Sequence, residues 1–167
     1  MTNDMIALVA NVALTLSFIV ALIFGIAQVR AAARDRRERL TLETLRSFQT
    51  REYAELIHYV ISRKMPRNRK EFDAFPVKDQ VLFLQVSQGM EMLGILVAEK
   101  YIDLDLVDKT IGSLVSTAWE KFKKLTMSVR PTEPFVSEYF QWLAERISER
   151  MSQRPRKPFH ELNVRIP

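Results

Sequence analysis

Charged residues are absent from one long stretch near the start of the chain. Residues 5–29 contain no Asp, Glu, Lys or Arg, and they lie between Asp4 and Arg30. As an α-helix this stretch would be roughly 37 Å long at about 1.5 Å per residue, enough to cross a hydrocarbon core of about 30 Å with some tilt. The pattern therefore predicts a transmembrane helix over residues 5–29, preceded by a short non-cytoplasmic N-terminus of residues 1–4.

Two other interpretations of this apolar stretch fit the sequence less well. A cleaved signal peptide has a basic leader and an apolar core of about 7 to 15 residues, whereas residues 1–4 contain no Lys or Arg and the run here is longer. A buried core helix needs a polar stripe or an interruption. The polar side chains of the stretch are few, and a membrane tolerates all of them: Asn11, Thr15, Ser17 and Gln28.

Small side chains recur every fourth residue within this predicted span. They are Ala13, Ser17, Ala21 and Gly25. Residues four apart lie on one face of a helix, and small side chains there let two helix backbones approach closely, with a hydrogen bond from Ser17 as an added contact. Such residues are also common in membrane helices that do not associate, so the spacing indicates a candidate association face and leaves self-association open.

Five arginines follow the predicted span directly. They are Arg30, Arg34, Arg36, Arg37 and Arg39. Cationic residues close to a span favour the cytoplasmic side and contact anionic lipid headgroups, so we expect the C-terminal body in the cytoplasm. Residues 30–50 contain strong helix formers and neither Pro nor Gly, which predicts a juxtamembrane basic helix continuous with the span.

The remaining hydrophobic residues predict a helical bundle over residues 51–152. Thr50 is a candidate N-cap, and the next helix shows apolar residues at the spacing of one buried face: Tyr53, Leu56, Ile57, Val60 and Ile61. We expect Pro66 to end this helix, and residues 65–76 to form a loop that directs Phe72 and Phe75 into the body.

Residues 77–100 are so rich in apolar side chains that they predict the central helix of the bundle. Gly89 and Gly94 lie inside it, and close packing against another helix is the expected reason for both. Glu91 lies among Met90, Met92 and Leu93, where a carboxylate needs a partner. A structural carboxylate bonded to an Arg, a Tyr or a backbone group is favoured over a catalytic acid.

An amphipathic helix should follow, capped by Asp103. Its apolar residues recur with a period of 3.6 and include Trp119, which we expect to be buried. Asp103, Asp105 and Asp108 form an acidic group, but they lack the glycine and the terminal glutamate of a calcium loop. We therefore expect no metal there.

The Arg130-Pro131 pair should end that helix, and Thr132 is the expected cap of the last helix. The predicted core positions of the last helix are Val136, Phe140, Leu143, Ile147 and Met151. A basic, proline-containing tail of residues 153–167 then presents Phe159, Leu162, Val164 and Ile166 for docking on the body or on a neighbour. The fold class is thus all-α: one N-terminal transmembrane helix continuing into a cytoplasmic bundle of about five helices.

Composition agrees with this location and excludes several chemistries. The chain has no cysteine, as suits a reducing compartment, and its formal charge of +5 is concentrated in a few basic stretches. His58 and His160 fall on unrelated segments, and there is no metalloprotease, phosphate-loop or serine-hydrolase motif. We expect no enzymatic activity, no cofactor, no metal and no small-molecule substrate.

Several short motifs resemble a known family. They are residues 90–97 (MEMLGILV), Tyr101-Ile102-Asp103, Ile111-Gly112 and Ala118-Trp119. Over about residues 28–150 the chain resembles the bacterial domain of unknown function 4760, although the family often has an aromatic residue where this chain has Met90. The resemblance implies an N-terminal span with a small helical domain at a bacterial inner membrane. It implies no catalytic residues.

Three functional hypotheses follow from the sequence. The leading one is a non-enzymatic interaction or signalling module, anchored in the membrane, self-associating and bound to an unidentified protein partner. A membrane-tethered nucleic-acid binder is the second, although the cations are scattered over several helix ends rather than gathered on one element. The third is an effector that permeabilises the bilayer under control of its cytoplasmic domain, for which a single span with few polar residues is a weak basis.

Overall fold

The computed structural model describes residues 2–153, 155, 157 and 161. Within these residues the chain forms six helices and no strand: α1 (Thr2–Ser47), α2 (Arg51–Ser62), α3 (Arg69–Asp73), α4 (Val77–Ala98), α5 (Leu104–Val129) and α6 (Glu138–Gln153). The predicted all-α fold is confirmed, and five helices follow the long N-terminal one.

Helix α1 is continuous over 46 residues and includes both the apolar stretch and the basic segment. The chain divides into two compact units, one ending at Leu40 and the other beginning at Thr41. In the first unit, every side chain from residue 3 to residue 39 is exposed. Two helices of the described chain are apolar and long enough to cross a membrane by length and composition alone. None of the 18-residue apolar stretch in α1 is buried, whereas 33% of the corresponding stretch in α4 is buried.

The second unit has a single hydrophobic core. Helix α6 packs against α4 and α5, and α2 packs against the same two helices. The fully buried side chains come from several helices and meet at the centre: Val60, Phe83, Val86, Met90, Leu93, Val107, Val115, Phe140 and Leu143. From the last turns of α1, Thr41 and Leu45 are also buried, whereas Leu42 is exposed. Helices α2, α5 and α6 thus bury most of the face that their apolar spacing predicts.

Helix α2 begins as predicted and ends earlier than expected. The Thr50 hydroxyl accepts a hydrogen bond from the Tyr53 backbone N–H at 3.2 Å, which satisfies one donor of the first turn. Ile57 and Val60 face the core. The last residue of α2 is Ser62, so the helix stops four residues before Pro66 rather than at the proline.

The predicted loop of residues 65–76 contains the short helix α3, so that part of the prediction was wrong. The Asn68 side chain accepts from the Glu71 N–H at 2.9 Å, and the Glu71 carboxylate accepts from the Arg67 N–H at 2.8 Å. Such reciprocal bonds at a helix start supply acceptors for backbone N–H groups that would otherwise lack them. Phe72 is buried and Phe75 is half-buried, with the Phe75 ring 5.5 Å from the Phe83 ring.

Helix α5 follows its prediction, but the start of the last helix does not. Asp103 caps α5 by accepting from the Asp105 N–H at 2.7 Å. Thr132 is not a cap, because its hydroxyl donates to the Val129 carbonyl at 2.9 Å and α6 begins only at Glu138. Met151, expected in the core, is 51% exposed.

Helix α6 extends to Gln153. The apolar tail residues Phe159, Leu162, Val164 and Ile166 lie outside the described residues, so their docking stays a prediction.

The two glycines inside α4 have different surroundings. A Cβ atom at Gly94 would overlap the backbone carbonyl group of Tyr139 in α6, so only glycine allows this approach. A Cβ atom at Gly89 would meet no atom within 4 Å. Close packing therefore explains Gly94, and the same explanation for Gly89 was wrong.

The glycine pair gives a matched test of this packing. We expect Gly94→Ala to destabilise the second unit by about 1–3 kcal/mol, because α6 must move away from α4. Gly89→Ala should stabilise it by about 0.5–1 kcal/mol, because alanine has the higher helix propensity and no neighbour opposes it. Denaturant unfolding followed by tryptophan fluorescence measures both, since Trp119 and Trp142 both lie in this unit. Equal effects of the two substitutions would contradict the interpretation.

Candidate functional site

The predicted association face lies on the exposed surface of α1. Ala13, Ser17, Ala21 and Gly25 are all exposed, and a Cβ atom at Gly25 would meet nothing within 4 Å. Among the polar side chains of the apolar stretch, the Thr15 hydroxyl donates to the Asn11 carbonyl at 2.8 Å. This hydroxyl therefore has an acceptor inside its own helix, which is the arrangement that an apolar environment requires.

The basic segment of α1 is exposed along its whole length. Arg30, Arg34, Arg36, Arg37 and Arg39 present their side chains to solvent. Arg34 Nε donates to the Glu38 carboxylate at 2.9 Å, and this hydrogen bond, with the attraction of the Glu38 charge, raises the pKa of Arg34. The segment remains cationic at any physiological pH, as binding to anionic headgroups requires.

The three predicted structural residues of the bundle meet at the first turn of α6. Glu91 is half-buried and accepts from the backbone N–H groups of Tyr139 at 3.1 Å and Phe140 at 2.7 Å, one with each carboxylate oxygen. Gly94 lets the α6 backbone approach at the same place. The ring of Trp119, which is 4% exposed, lies edge-on to the Phe140 ring at 5.3 Å.

The turn before α6 explains why a distant glutamate caps this helix. The first N–H groups of a helix have no acceptor inside it, and a residue just before the helix usually supplies one from an extended conformation. Ser137, which precedes α6, has a left-handed φ of 52°. Its hydroxyl is 3.1 Å from that of Ser87, and Arg130 donates to the carbonyls of Val136 and Ser137 at 3.3 Å. The Glu91 carboxylate is the acceptor for the N–H groups of Tyr139 and Phe140, so both of its oxygens have a structural role.

A second polar cluster joins α2 to α4, and the sequence analysis missed it. Asp79 is 6% exposed and accepts from the Tyr59 hydroxyl at 2.6 Å and from Arg63 at 3.3 Å. The Arg63 guanidinium also lies 4.2 Å from the centre of the Tyr59 ring, and the bond to Asp79 raises the pKa of Tyr59. The partners are 16 and 20 residues from Asp79, beyond any local spacing rule. The sequence feature that could have drawn notice to Asp79 is its place as an acidic residue in the first turn of α4.

The acidic group at the start of α5 forms ion pairs. Arg150 of α6 donates to Asp105 at 2.7 Å and lies 3.8 Å from Asp108. A hydrogen bond from Lys109, with the charges of Lys109 and Arg150, lowers the pKa of Asp105. Within the described residues, no three His, Asp or Glu side chains are placed to hold a metal ion.

An open groove of about 570 Å³ runs between α2 and the first half of α4. Its walls include Tyr53, Leu56, Tyr59, Leu82 and Gln85. The Tyr53 hydroxyl is buried with no hydrogen-bond partner in the described chain, and burial raises the pKa of Tyr53 to about 12. The lining is mixed, because it also includes the charged residues Glu52, Glu55 and Lys78.

Comparison with known proteins identifies one family. The family model with the description "Domain of unknown function (DUF4760)" matches residues 15–147, which include most of α1 and the bundle up to the middle of α6. No curated protein and no solved structure shows a significant match to the chain.

The contact between Glu91 and α6 leads to a stability prediction. Glu91→Ala leaves two backbone N–H groups without their acceptors, and we expect a loss of about 1–3 kcal/mol in the free energy of unfolding. Glu91→Gln keeps one acceptor oxygen and should lose about half as much. Glu120→Ala, at an exposed position of α5, is the control and should change stability by less than about 0.5 kcal/mol. If Glu91→Ala behaved like the control, the glutamate would not hold the start of α6.

Proposed function

This chain belongs to the DUF4760 family, and from that premise we propose that it is a non-enzymatic interaction or signalling module anchored in the bacterial inner membrane by one span. The observation that supports anchoring most is that residues 5–29 of α1 are free of charge and exposed. Contiguous apolar surface of this size is rare on proteins that live in water. A bilayer removes that surface from water at a gain of about 25 cal/mol per Å².

The arginines of α1 determine the orientation in this proposal. Five exposed arginines directly follow the span, whereas residues 1–4 carry no Lys or Arg. The second unit and the tail therefore lie in the cytoplasm, with the N-terminus outside. In that position the arginines also contact anionic headgroups.

The assignment to an interaction module rather than an enzyme is supported by what the carboxylates of the bundle do. Glu91 holds the start of α6, Asp79 joins α2 to α4, and Asp105 pairs with Lys109 and Arg150. An acid or base catalyst must reach a substrate in a pocket, and each of these groups is committed to a neighbour within the fold. The exposed apolar and cationic surfaces of α1 are of the kind that binds a membrane or another protein.

Self-association through the span is the second part of the proposal. Two parallel helices packed on Ala13, Ser17, Ala21 and Gly25 bring their backbones close. Their basic segments then start side by side, and Glu38 and Asp35 offset part of the repulsion between arginines. At physiological salt, exposed charges interact over about 8 Å. The association is therefore modest and depends on ionic strength and anionic lipid, which gives the module a means of signalling.

Anchoring and orientation are tested with a topology reporter. A reporter fused after Pro167 should be active only in the cytoplasm, and the protein should remain in membranes washed with alkaline carbonate. A Leu16→Arg/Val20→Arg double variant is the control, because two charges in the middle of the span oppose insertion by about 2.5–3.5 kcal/mol each. Reporter activity on the outer side, or full release by carbonate, would reject the proposal.

The association face is tested by filling it. Ala21→Leu/Gly25→Leu keeps the span apolar but blocks close approach, so crosslinked or detergent-solubilised protein should shift toward monomer. Leu16→Ala/Ile23→Ala changes other faces of the span and should leave the oligomer unchanged. If Ala21→Leu/Gly25→Leu leaves the dissociation constant of the oligomer unchanged, the span serves as an anchor alone.

A further inference from the structure

Helix α4 has an apolar face that no other part of the described chain covers. Val77, Val81, Leu84 and Met92 are between 48% and 73% exposed, although they belong to the most apolar helix of the second unit. Gln88 is exposed on the same face, and Ile95 is half-buried there. The spacings of four, three, four, four and three residues keep this α4 face on one side of the helix. The helix is central to the bundle through its opposite side, which packs against α2, α5 and α6.

Between Val81 and Ile95 the α4 face is symmetric in sequence about Gln88, whereas Val77 has Glu99 as its counterpart eleven residues after Gln88. Leu84 and Met92 lie four residues on either side of it, and Val81 and Ile95 lie seven residues on either side. Both distances return to the same face of a helix. A surface whose two halves match in this way can pair with a second copy of itself about a twofold axis.

We propose that two copies of this chain pair through the α4 face, with the two α4 helices antiparallel and a twofold axis at Gln88. Leu84 then packs against Met92 of the second copy, and Val81 packs against its Ile95. Each contact occurs twice, because the interface is isologous. The two Gln88 amides meet on the axis, where each supplies a donor and an acceptor to the other.

Charge favours this partner and this direction. Lys78 lies ten residues before Gln88 and Glu99 lies eleven residues after it, and both are exposed without an ion pair in the described chain. The two are roughly 31 Å apart along one helix, too far to pair with each other. Antiparallel packing places Lys78 of each copy beside Glu99 of the other, whereas parallel packing places like charges together.

This inference extends the proposed self-association from the span to the second unit, and it does not require the span contact to hold. The chain has no cysteine, so introduced cysteines report single positions. Full-length Gln88→Cys in native membranes should form a disulfide-linked dimer on mild oxidation, because the two thiols meet on the axis. Thr117→Cys, exposed on α5, is the control and should give several-fold less dimer.

The antiparallel direction of the two α4 helices is tested by mixing two cysteine variants. Separately tagged Leu84→Cys and Met92→Cys chains should crosslink to each other several-fold more than either does to itself. Preferential self-crosslinking at both positions would indicate parallel packing and overturn the proposal. Absence of Gln88→Cys dimer above the Thr117→Cys level would overturn it as well. Repeating Gln88→Cys with Ala21→Leu/Gly25→Leu separates the two contacts, since persistent dimer then reports the α4 contact alone.

A charge exchange distinguishes a second copy from other occupants of the α4 face. In the Gln88→Cys background, Lys78→Glu or Glu99→Lys alone should reduce dimer formation about tenfold, because each creates two like-charge contacts across the axis. The double exchange should restore it. Restoration supports the antiparallel pair, since these residues cannot meet within one chain. If the double exchange does not restore the dimer, the occupant of the α4 face is lipid and the proposal is wrong. If truncation after Gln153, with no other change, abolishes the dimer, the occupant is the tail. Unchanged tryptophan fluorescence confirms that each variant is folded.

Discussion

The start of α6 imposes the constraint on which the second unit depends. Its first backbone N–H groups need acceptors, and the left-handed Ser137 before the helix does not supply them as an extended capping residue would. Glu91 of α4 supplies two, so the start of α6 must lie against the middle of α4. That approach is possible only because residue 94 has no side chain. With α6 fixed there, Phe140 reaches the ring of Trp119 in α5, and the three largest helices of the unit share one core.

The same contact gives Glu91 a structural role in the second unit. A half-buried carboxylate with a hydrogen-bonded backbone N–H at each oxygen acts as a structural acceptor. Asp79 and Asp105 have comparable commitments to side chains on other helices. These three carboxylates thus hold helices of the second unit together. The proposed function rests instead on surfaces: the apolar and basic parts of α1, and the α4 face.

Local sequence patterns predicted most of the helices. The features that they did not predict depend on contacts between residues far apart in the sequence. Thr50 and Asp103 were identifiable as caps because their partners lie two or three residues away. Thr132 satisfies the same local rule, but α6 begins at Glu138 because Ser87, Glu91 and Arg130 hold the intervening turn. Glu91 lies between apolar residues in the sequence, so a structural partner was predicted, although the partner itself was not. Asp79 lies between Lys78 and Gln80, so its sequence neighbours did not indicate a buried carboxylate. For Gly89 and Gly94 the sequence is equivalent, and only the position of Tyr139 separates them.

The two proposed association surfaces differ in what limits them. Packing of two spans on their small residues brings cationic segments together, so its strength falls as the arginines are left unscreened. Pairing through the α4 face brings Lys78 and Glu99 into opposition, so there the charges assist the apolar contact. Where both contacts join the same pair of copies, the first to form raises the effective concentration for the second. A modest, salt-dependent contact in the membrane and a self-complementary one in the second unit would then form together, and a lipid or a partner that changed either would change the other.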